Sequence, residues 1–549
     1  MTTASFNLVD EPWLPVTLCN GFPGRGDRGA APRVSLREAF ERGEQICDLR
    51  CYPHERIALM RLLICIAQRA LDGPKTEDEW KECKSRLPRA AVDYLDESRR
   101  CFNLLGDGPR FLQARGLRTV GDKSGLIPVD KLDLGAAAGN TPTLFDNAGG
   151  TGHRYSLQEL AVMLVTYQVC SPGGLIGIAL WNGVKTGETK ASRHALGARN
   201  SAVHGFVLGK SLLDHLYLNL MSHEGLARWG RAGTGSEIWG SPVWERPPSN
   251  SQDDVGYNSY LSRLVPFSRA VWLSARTGTA IVANGLNYDF FPVGPRDPTI
   301  TVTLRDDGCL PLRGRVDKAM WRELHSIASS PVGTPARGPL ALGHTAGTES
   351  DLRLWAGAVL TVKDSDAKII DSIEGVFRLP ASFLDGQVEA EVDDFRVRPN
   401  MNNTYRQGVE FADRWAGRLR AAVYRYHLRL SDDFRKAQNA KRGRGLQTQA
   451  ATRYWTALEQ EAERVLLRDV AVHSERYWRQ GSEWMAKSPW GREVIRAARE
   501  AYEFACPHTT PRQLRAYADG LRALLGDDGG KGSRKKRSPR KPDVAEDAQ

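Results

Sequence analysis

The sequence predicts an α+β protein, in which a large mixed α/β N-terminal domain is followed by a C-terminal bundle of helices. Short β-rich runs separated by turn residues lie between 271 and 304 and predict a small mixed sheet. A run at 56–71 is apolar on most faces and predicts a buried helix. From Asn400 to Ser488 there is no proline, and apolar residues recur at helical spacing. At 549 residues the chain is also too long for a single core.

The composition indicates a cytoplasmic globular protein. The 41% hydrophobic and 26% charged residues are ordinary for a globular chain. No apolar run approaches the roughly 20 residues that a membrane span needs, and the N-terminus has no secretory pattern. The nine cysteines are an odd number without a CxxC pair, which favours reduced thiols over a disulfide framework.

The net charge of +11 favours a polyanionic partner. Seven basic residues lie between Lys531 and Lys541, followed by three acids, and about +7 remains on the body without this tail. The segment 526–549 is charged, of low complexity and free of aromatic residues, so it is predicted to be disordered.

The N-terminal half mixes short strands with helices. An extended segment at 6–16 precedes the buried helix, and 109–129 is typical of strands and turns. A polar, glycine-rich loop at 135–152 carries Phe145 near its middle. This aromatic residue either anchors the loop on its own domain or inserts into another protein, and the residues alone favour the anchor.

The stretch from Ser171 to Lys210 separates two predicted helices, 157–168 and 211–221. It holds eight glycines, five Lys/Arg residues and a single acid, Glu188. Glycine permits positive φ and close approach of another polymer to the main chain, and nearby cations neutralise phosphates. Two interpretations stay open: a loop whose backbone touches nucleic acid, or a glycine-rich loop that crosses a crowded core.

Further along the chain, two strands and the bundle are predicted. The strands lie within 353–373 and are joined by a polar turn at 363–366. Helices follow over most of 400–525, the last two at 493–505 and 512–525. Between two bundle helices, the basic segment 434–445 is either a solvated tip or a phosphate contact.

No catalytic pattern is evident in the sequence. It contains no GxxxxGK[ST], HExxH or GxSxG motif. The spacing of Cys47, Cys51 and His54 matches no zinc site, and His194 and His204 are interpreted as hydrogen-bonding loop residues. The alternative of a metal-dependent nuclease depends on adjacent acids, which usually project apart; these pairs are Asp253–Asp254, Asp306–Asp307, Asp393–Asp394 and Asp432–Asp433.

A series of segments in a characteristic order suggests a family. They are LVDEPWLPV, ERIALMRLLICIAQ, PRFLQARG, PVDKL, GNTPTLFDN, SPGG, DSDAKII and RKAQNAKRGRGLQTQAATRYWTALEQ. In this order they resemble the CasA-type large subunit of the type I-E CRISPR surveillance complex, Cascade. The resemblance spans nearly the whole chain except the tail.

The resemblance implies a non-enzymatic DNA-binding subunit without a cofactor. Its mixed α/β domain would cover 1–399 and a four-helix bundle 400–525, followed by the basic tail 526–549. Such a subunit recognises the protospacer-adjacent motif (PAM) of double-stranded target DNA from the minor groove, and it promotes strand separation and R-loop formation with the crRNA. Its implied partners in this antiviral defence are the crRNA 5′ handle, the other Cascade subunits and the helicase-nuclease.

Two of the family's loops match this sequence residue by residue. The glycine loop that contacts the PAM corresponds to Ser171, Pro172, Gly173 and Gly174, where bulky side chains would collide with the groove floor. The loop with Phe145 and Asn147 matches a family loop that reaches the subunit holding the guide handle. For Phe145 the resemblance therefore reverses the preference for a self-anchor.

Two positions depart from the family pattern. Asp366 stands where the family has a wedge glutamine, so either Lys363 or Lys368 takes over that role or the register is shifted. Asn284 falls where the family has a minor-groove lysine; asparagine also reads minor-groove acceptors. The interval between Cys170 and Cys309 lacks the cysteine cluster of some relatives, so no metal is predicted.

A contact with the displaced DNA strand is expected at the basic bundle segment. The residues expected to make it are Lys436, Lys441, Arg442 and Arg444.

Overall fold

The computed structural model describes most of the chain. The described residues are 5–19, 32–121, 125–135, 154–187, 191–229, 239–253, 258–274, 277–290, 296–305, 308–331, 336–345, 351–361, 369–380, 383–384, 400–430, 437–478 and 484–526.

The structure confirms a mixed α/β protein with a helical C-terminal region. The α-helices are Leu36–Glu41, Pro53–Ala70, Glu77–Glu82, Leu87–Glu97, Leu157–Cys170, Leu212–Leu218, His223–Trp229, Tyr260–Leu264, Leu324–Ile327, Met401–Leu430, Ala437–Glu461, Ser474–Trp478, Trp484–Lys487, Pro489–Ala505 and Pro511–Leu525, with a π-helical segment at Ala462–Ala471. The strands are Phe6–Asn7, Leu14–Leu18, Arg33–Val34, Ile46–Leu49, Asn103–Leu105, Leu117–Thr119, Leu126–Pro128, Gly174–Leu175, Ala179–Trp181, Val184–Lys185, Ala191–Ser192, His204–Leu208, Arg269–Ser274, Thr279–Asn284, Val302–Arg305, Gly308–Pro311, Ala336–Arg337, Leu352–Thr361 and Ile369–Leu379.

The described strands form small sheets of two or three members whose neighbours pair antiparallel. In the largest, His204–Leu208 and Ile369–Leu379 flank Leu352–Thr361, so the two strands predicted within 353–373 are confirmed. In another, Thr279–Asn284 lies between Arg269–Ser274 and Leu126–Pro128. Short sheets leave much of the chain in loops, whose buried backbone groups need other hydrogen-bond partners.

The helix Pro53–Ala70 forms the centre of the main core, as its apolar sequence predicts. Pro53 opens it at a position where a missing N–H costs nothing. The Glu55 carboxylate accepts a bond of 2.9 Å from the Tyr52 N–H and so closes the first turn. Nearly every residue from His54 to Gln68 is buried, which is typical of a helix that is apolar on all sides.

Arg61 places a charged group in the middle of this buried helix. Its side chain is fully buried; Nη1 donates to Asp297 Oδ1 at 2.9 Å and forms an ion pair with Asp297 Oδ2 at 2.8 Å. Its remaining donors reach the carbonyls of Arg263 and Leu264. Burial alone would raise the pKa of Asp297, but the Arg61 charge outweighs it and lowers that pKa to about 2. The pair is therefore ionised inside the core.

The hydrogen bonds of this pair continue to His204. Thr299 Oγ1 donates to Asp297 and lies 2.7 Å from His204 Nδ1. The other ring nitrogen, His204 Nε2, lies 3.0 Å from the carbonyl oxygen of Gly197. The network thus connects the central helix to the glycine-rich stretch.

The chain divides into two compact units, residues 1–406 with 467–480 and residues 407–466 with 481–549. Within the second unit, helices are tied together by side chains that donate to backbone carbonyls: Tyr454 to Ala412 at 2.8 Å and Trp490 to Gly408 at 2.9 Å. Such bonds fix the helices relative to one another, since each buried donor has a single partner position.

The basic segment at 434–445 is not a loop throughout, contrary to the sequence interpretation. From Ala437 onwards it is the beginning of the helix Ala437–Glu461. Gly443 faces the His427 ring, and a Cβ atom there would come within 2.7 Å of it, so close packing and not chain reversal explains this glycine.

None of the helices within the described ranges combines the length and the apolar character that a membrane crossing requires. All nine cysteines are free.

Replacing Arg61 by Met should lower the free energy of unfolding by about 3–5 kcal/mol, because Asp297 is left as a buried charge without a partner. Urea unfolding of the full chain measures the change. Arg37→Met, which removes a half-exposed arginine paired with Asp96, should cost about 1 kcal/mol or less. The double variant Arg61→Met/Asp297→Leu should recover much of the loss. A small loss for Arg61→Met would show that the pair is not a main constraint.

Acid should destabilise the first unit well above the range in which carboxylates titrate. Burial lowers the pKa of His54, His204 and His215 to about 4 each. The unfolded chain takes up these protons near pH 6.5 while the folded chain does not, so stability is full above 6.5 and falls down to about 4. Each histidine contributes a slope of up to about 1.4 kcal/mol per pH unit in that window. Urea midpoints at pH 7.5, 6.5 and 5.5 test this, and His204→Gln should reduce the slope. Equal stability at pH 6.5 and 5.5 would contradict it.

Candidate nucleic-acid interface

The glycine-rich stretch 171–210 divides into a surface part and a buried part. Residues 194–198 and 201–208 are buried. A Cβ atom on Gly197 would meet Val169 at 2.8 Å, and one on Gly205 would meet Pro339 at 2.6 Å. For this second part the crowded-core interpretation is therefore confirmed. His194 and His204 are both hydrogen-bonded within it, as the sequence predicts.

The surface part begins directly after the helix Leu157–Cys170. Pro172, Gly173 and Gly174 are half-buried, and Leu175 is 89% exposed. Ser171 is fully buried; its N–H donates to the Tyr167 carbonyl, and its own carbonyl accepts from Ala195. The prediction that Ser171 itself contacts DNA is thus corrected, because the candidate surface starts at Pro172.

Local hydrogen bonds hold the turn at Pro172–Leu175. The Gly173 N–H donates to His194 Nδ1 at 3.0 Å, and Ser192 Oγ donates to the Gly174 carbonyl at 3.0 Å. Gly174 has a φ of 97°, which a side chain would strain. The strand Gly174–Leu175 pairs with Ala191–Ser192, so the two edges of the surface part support each other.

Arg269 holds the base of the turn from inside the domain. Its buried guanidinium donates to the carbonyls of Pro172 and Arg193, both at 2.7 Å. Burial lowers the pKa of Arg269, and the neighbouring Tyr167 hydroxyl opposes this effect. One side chain thus fixes the backbone on both edges of the surface part, while its charge is kept below the surface.

The structure places Asn284 beside this turn. It ends the strand Thr279–Asn284 directly opposite Arg269 in the neighbouring strand. A cavity of about 270 Å³ opens there, and its lining is largely polar and basic. It includes Ser192, Arg193, His194, Arg199, Asn284 and Asn287. The structure therefore brings Asn284 and the turn to one surface.

The remaining predicted site residues are only partly described. Phe145, Asn147, Lys363, Asp366, Lys368 and Lys436 lie outside the described residues. Lys441, Arg442 and Arg444 are exposed in the first turns of the helix Ala437–Glu461. Because Gly443 points inward to His427, Arg442 and Arg444 lie on opposite flanks of that helix.

In the part of the chain that the structure describes, no group of three or more His, Cys, Asp or Glu side chains is arranged to hold a metal ion. Asp253 accepts from Ser249 at 3.1 Å and so ends a local turn. The other members of the acidic pairs are outside the described ranges: Asp254, Asp306, Asp307, Asp393, Asp394, Asp432 and Asp433.

Two residues of this surface were missed in the sequence. Arg269 lies about a hundred positions from the turn, so no local signal links them. Leu175 is followed by Ile176, and two adjacent apolar residues are typical of a buried segment. The only available signal for its exposure was the pair of glycines that precedes it.

Together these features define a class of protein: a large mixed α/β protein that presents a rigid glycine turn on its surface and carries a separate helical unit. The chain belongs to the CRISPR-associated protein Cse1 family, whose family model matches residues 7–501. It is a CasA-type large subunit, as its ordered segments indicate. The family assignment supports a large subunit of a type I CRISPR complex.

Individual relatives agree with this assignment. The CRISPR-associated protein CasA/Cse1 of Thermus thermophilus is 27% identical over 417 residues, which cover 71% of this chain and 74% of the relative. The crystal structure of Cse1 from Acidimicrobium ferrooxidans matches with a TM-score of 0.72 at 21% identity, covering 96% of this chain and 98% of that chain. A chain of a CRISPR RNA-guided surveillance complex matches with a TM-score of 0.65 at 18% identity, covering 95% and 100%.

Replacing Arg269 by Met should release the turn. The Pro172 and Arg193 carbonyls would lose their donor, so amide hydrogen exchange at 173–192 should accelerate about tenfold or more. Arg110→Met is a matched control, because Arg110 donates to the Leu273 carbonyl at the other end of the same strand. Mass spectrometry of exchanged peptides reads both variants. Unchanged exchange at 173–192 would show that Arg269 does not hold the turn.

Proposed function

We propose that this chain is the subunit of a type I-E Cascade complex that recognises the PAM in double-stranded DNA through the minor groove. The observation that carries the proposal is the turn Pro172–Leu175, in which Pro172, Gly173 and Gly174 present main chain with little side chain on a base held by Arg269 and His194. The minor groove is only about 6 Å wide, so main chain fits where long side chains do not. Its degenerate base pattern would give promiscuous motif recognition.

The neighbouring side chains support the same role. Asn284 lines the cavity beside the turn, and its amide is able to bond the minor-groove acceptors. Arg193 is exposed and Arg199 is half-buried at this cavity, where they provide positive charge for the phosphates on either side of the groove. The main chain of the turn would thus contact the groove floor, the Asn284 amide would contact a base edge, and the two arginines would contact the phosphate backbone.

Motif recognition in this proposal leads to strand separation. Exchange of a DNA duplex for an RNA–DNA hybrid is nearly balanced in free energy, so a few protein contacts decide its direction. We assign the wedge to the segment between the strands Leu352–Thr361 and Ile369–Leu379, which contains Lys363, Asp366 and Lys368. The resulting R-loop pairs the crRNA with the target.

Further partners follow from the same assignment. Phe145 and Asn147 would contact the subunit that holds the crRNA 5′ handle. Lys436, Lys441, Arg442 and Arg444 would bind the displaced strand, and the flanking positions of Arg442 and Arg444 suit a strand that passes around the helix end. The assembled complex would recruit the helicase-nuclease for antiviral defence. The similarity to a chain of an RNA-guided surveillance complex supports the crRNA and the other Cascade subunits among these partners.

Gly174→Val in the assembled complex should weaken binding to motif-bearing duplex by about tenfold or more, because the side chain strains the turn and fills the space of the groove contact. The motif is identified from a library of duplexes with a randomised segment beside the guide-matched sequence, and the affinity is then measured with a duplex that carries this motif. Gly278→Val is the control, since Gly278 also has a positive φ and has open space around it. Equal binding by both variants would exclude a groove contact at the turn.

A further inference from the structure

Leu175 is the most exposed large hydrophobic residue in the described part of the chain, at 89% of its surface. The next residue, Ile176, packs partly against the main core. Burial of a leucine side chain stabilises a folded protein, so a fold that keeps the side chain in water forgoes this stabilisation in the isolated protein. Single exposed apolar residues are common on surfaces, and what distinguishes Leu175 is how it is mounted and what surrounds it.

The mount is rigid. The strand Gly174–Leu175 pairs with Ala191–Ser192, and Ser192 also bonds the Gly174 carbonyl. Arg269 and His194 hold the residues just before it. Leu175 is therefore not free to fold down onto its own domain. Its exposure is a property of the fold and does not result from a loose chain end.

Polar and basic side chains follow the strand partner of Leu175. The strand Ala191–Ser192 leads into Arg193, which lines the cavity together with Arg199 and Asn284. Interfaces with proteins and with DNA both surround an apolar anchor with polar groups, so the choice of a duplex follows from the proposed minor-groove position of the turn. There, cations beside an apolar tip match a duplex, whose apolar base faces lie between phosphates.

We infer that Leu175 is an apolar wedge, which enters the minor groove beside the PAM and partly unstacks the base step there. This inference rests on the proposed function of the turn. Leucine is among the side chains that minor-groove proteins insert between base pairs. The wedge assigned above to 363–368 would then act on a step that Leu175 has already loosened.

The test uses the complete complex and a target duplex with 2-aminopurine next to the motif, whose fluorescence rises when the base unstacks. The guide RNA is mismatched to the first target positions, so that hybrid formation cannot report opening. The wild type should show a motif-dependent rise in fluorescence. Leu175→Ala should lose most of it, and Leu175→Met should retain it. Leu514→Ala is the matched control, since Leu514 is 51% exposed on the helix Pro511–Leu525.

A second arm separates a wedge from a plain contact. Leu175→Ala should bind the fully paired duplex about tenfold more weakly than the wild type. On a duplex that is already mismatched at this step, the two should bind equally, because nothing is left to unstack.

The outcomes are distinguishable. A wild type without motif dependence would overturn the proposed function itself. If the wild type depends on the motif but Leu175→Ala matches it in fluorescence and affinity, the wedge is overturned while the proposed function stands. Equal weakening on both duplexes, or failure of Leu175→Ala to assemble into the complex, also overturns the wedge, since Leu175 is then a simple DNA contact or is covered by another subunit.

Discussion

The ion pair between Arg61 and Asp297 is the constraint on which the first unit depends. A charge at the centre of a buried helix has one acceptable partner position, because an unpaired charge in the core costs far more than a misplaced apolar group. The pair fixes where Asp297 lies, and through Thr299 it fixes His204, whose ring reaches the carbonyl of Gly197. The buried part of the glycine-rich stretch is thus placed by the central helix.

Buried arginines perform a second task, which follows from the shortness of the sheets. Loops that cross the core leave carbonyls without strand partners, and an arginine offers five donors in a fixed arrangement. Arg61 bonds the carbonyls of Arg263 and Leu264, Arg269 bonds those of Pro172 and Arg193, and Arg296 bonds the carbonyl of Pro331. In this way buried carbonyls of irregular chain obtain the hydrogen bonds that strand partners would otherwise supply.

The sequence predicted those parts of the fold that depend on local pattern. The helices at 53–70 and 157–170 and the strands of 352–379 follow from hydrophobic periodicity. Local pattern failed at 437–445, where Gly443 and Gly445 are typical of a loop although Gly443 serves close packing on His427. It also gave no access to the role of Arg269, because this residue contacts distant parts of the chain. The exposure of Leu175 was indicated only by the two glycines before it.

Rigidity below the surface explains how a small turn would act on a duplex. For a flexible loop, much of the free energy of the new contacts would be offset by the cost of ordering the loop. A leucine on such a loop would pack against its own protein. Arg269 removes both losses, since it fixes the main chain of the turn while Leu175 stays in solvent. The charge that fixes the turn is buried, so cations at the surface stay available for phosphates. The DNA duplex and the RNA–DNA hybrid are nearly equal in free energy. A few preorganised residues would therefore be enough to determine the site at which strand opening begins.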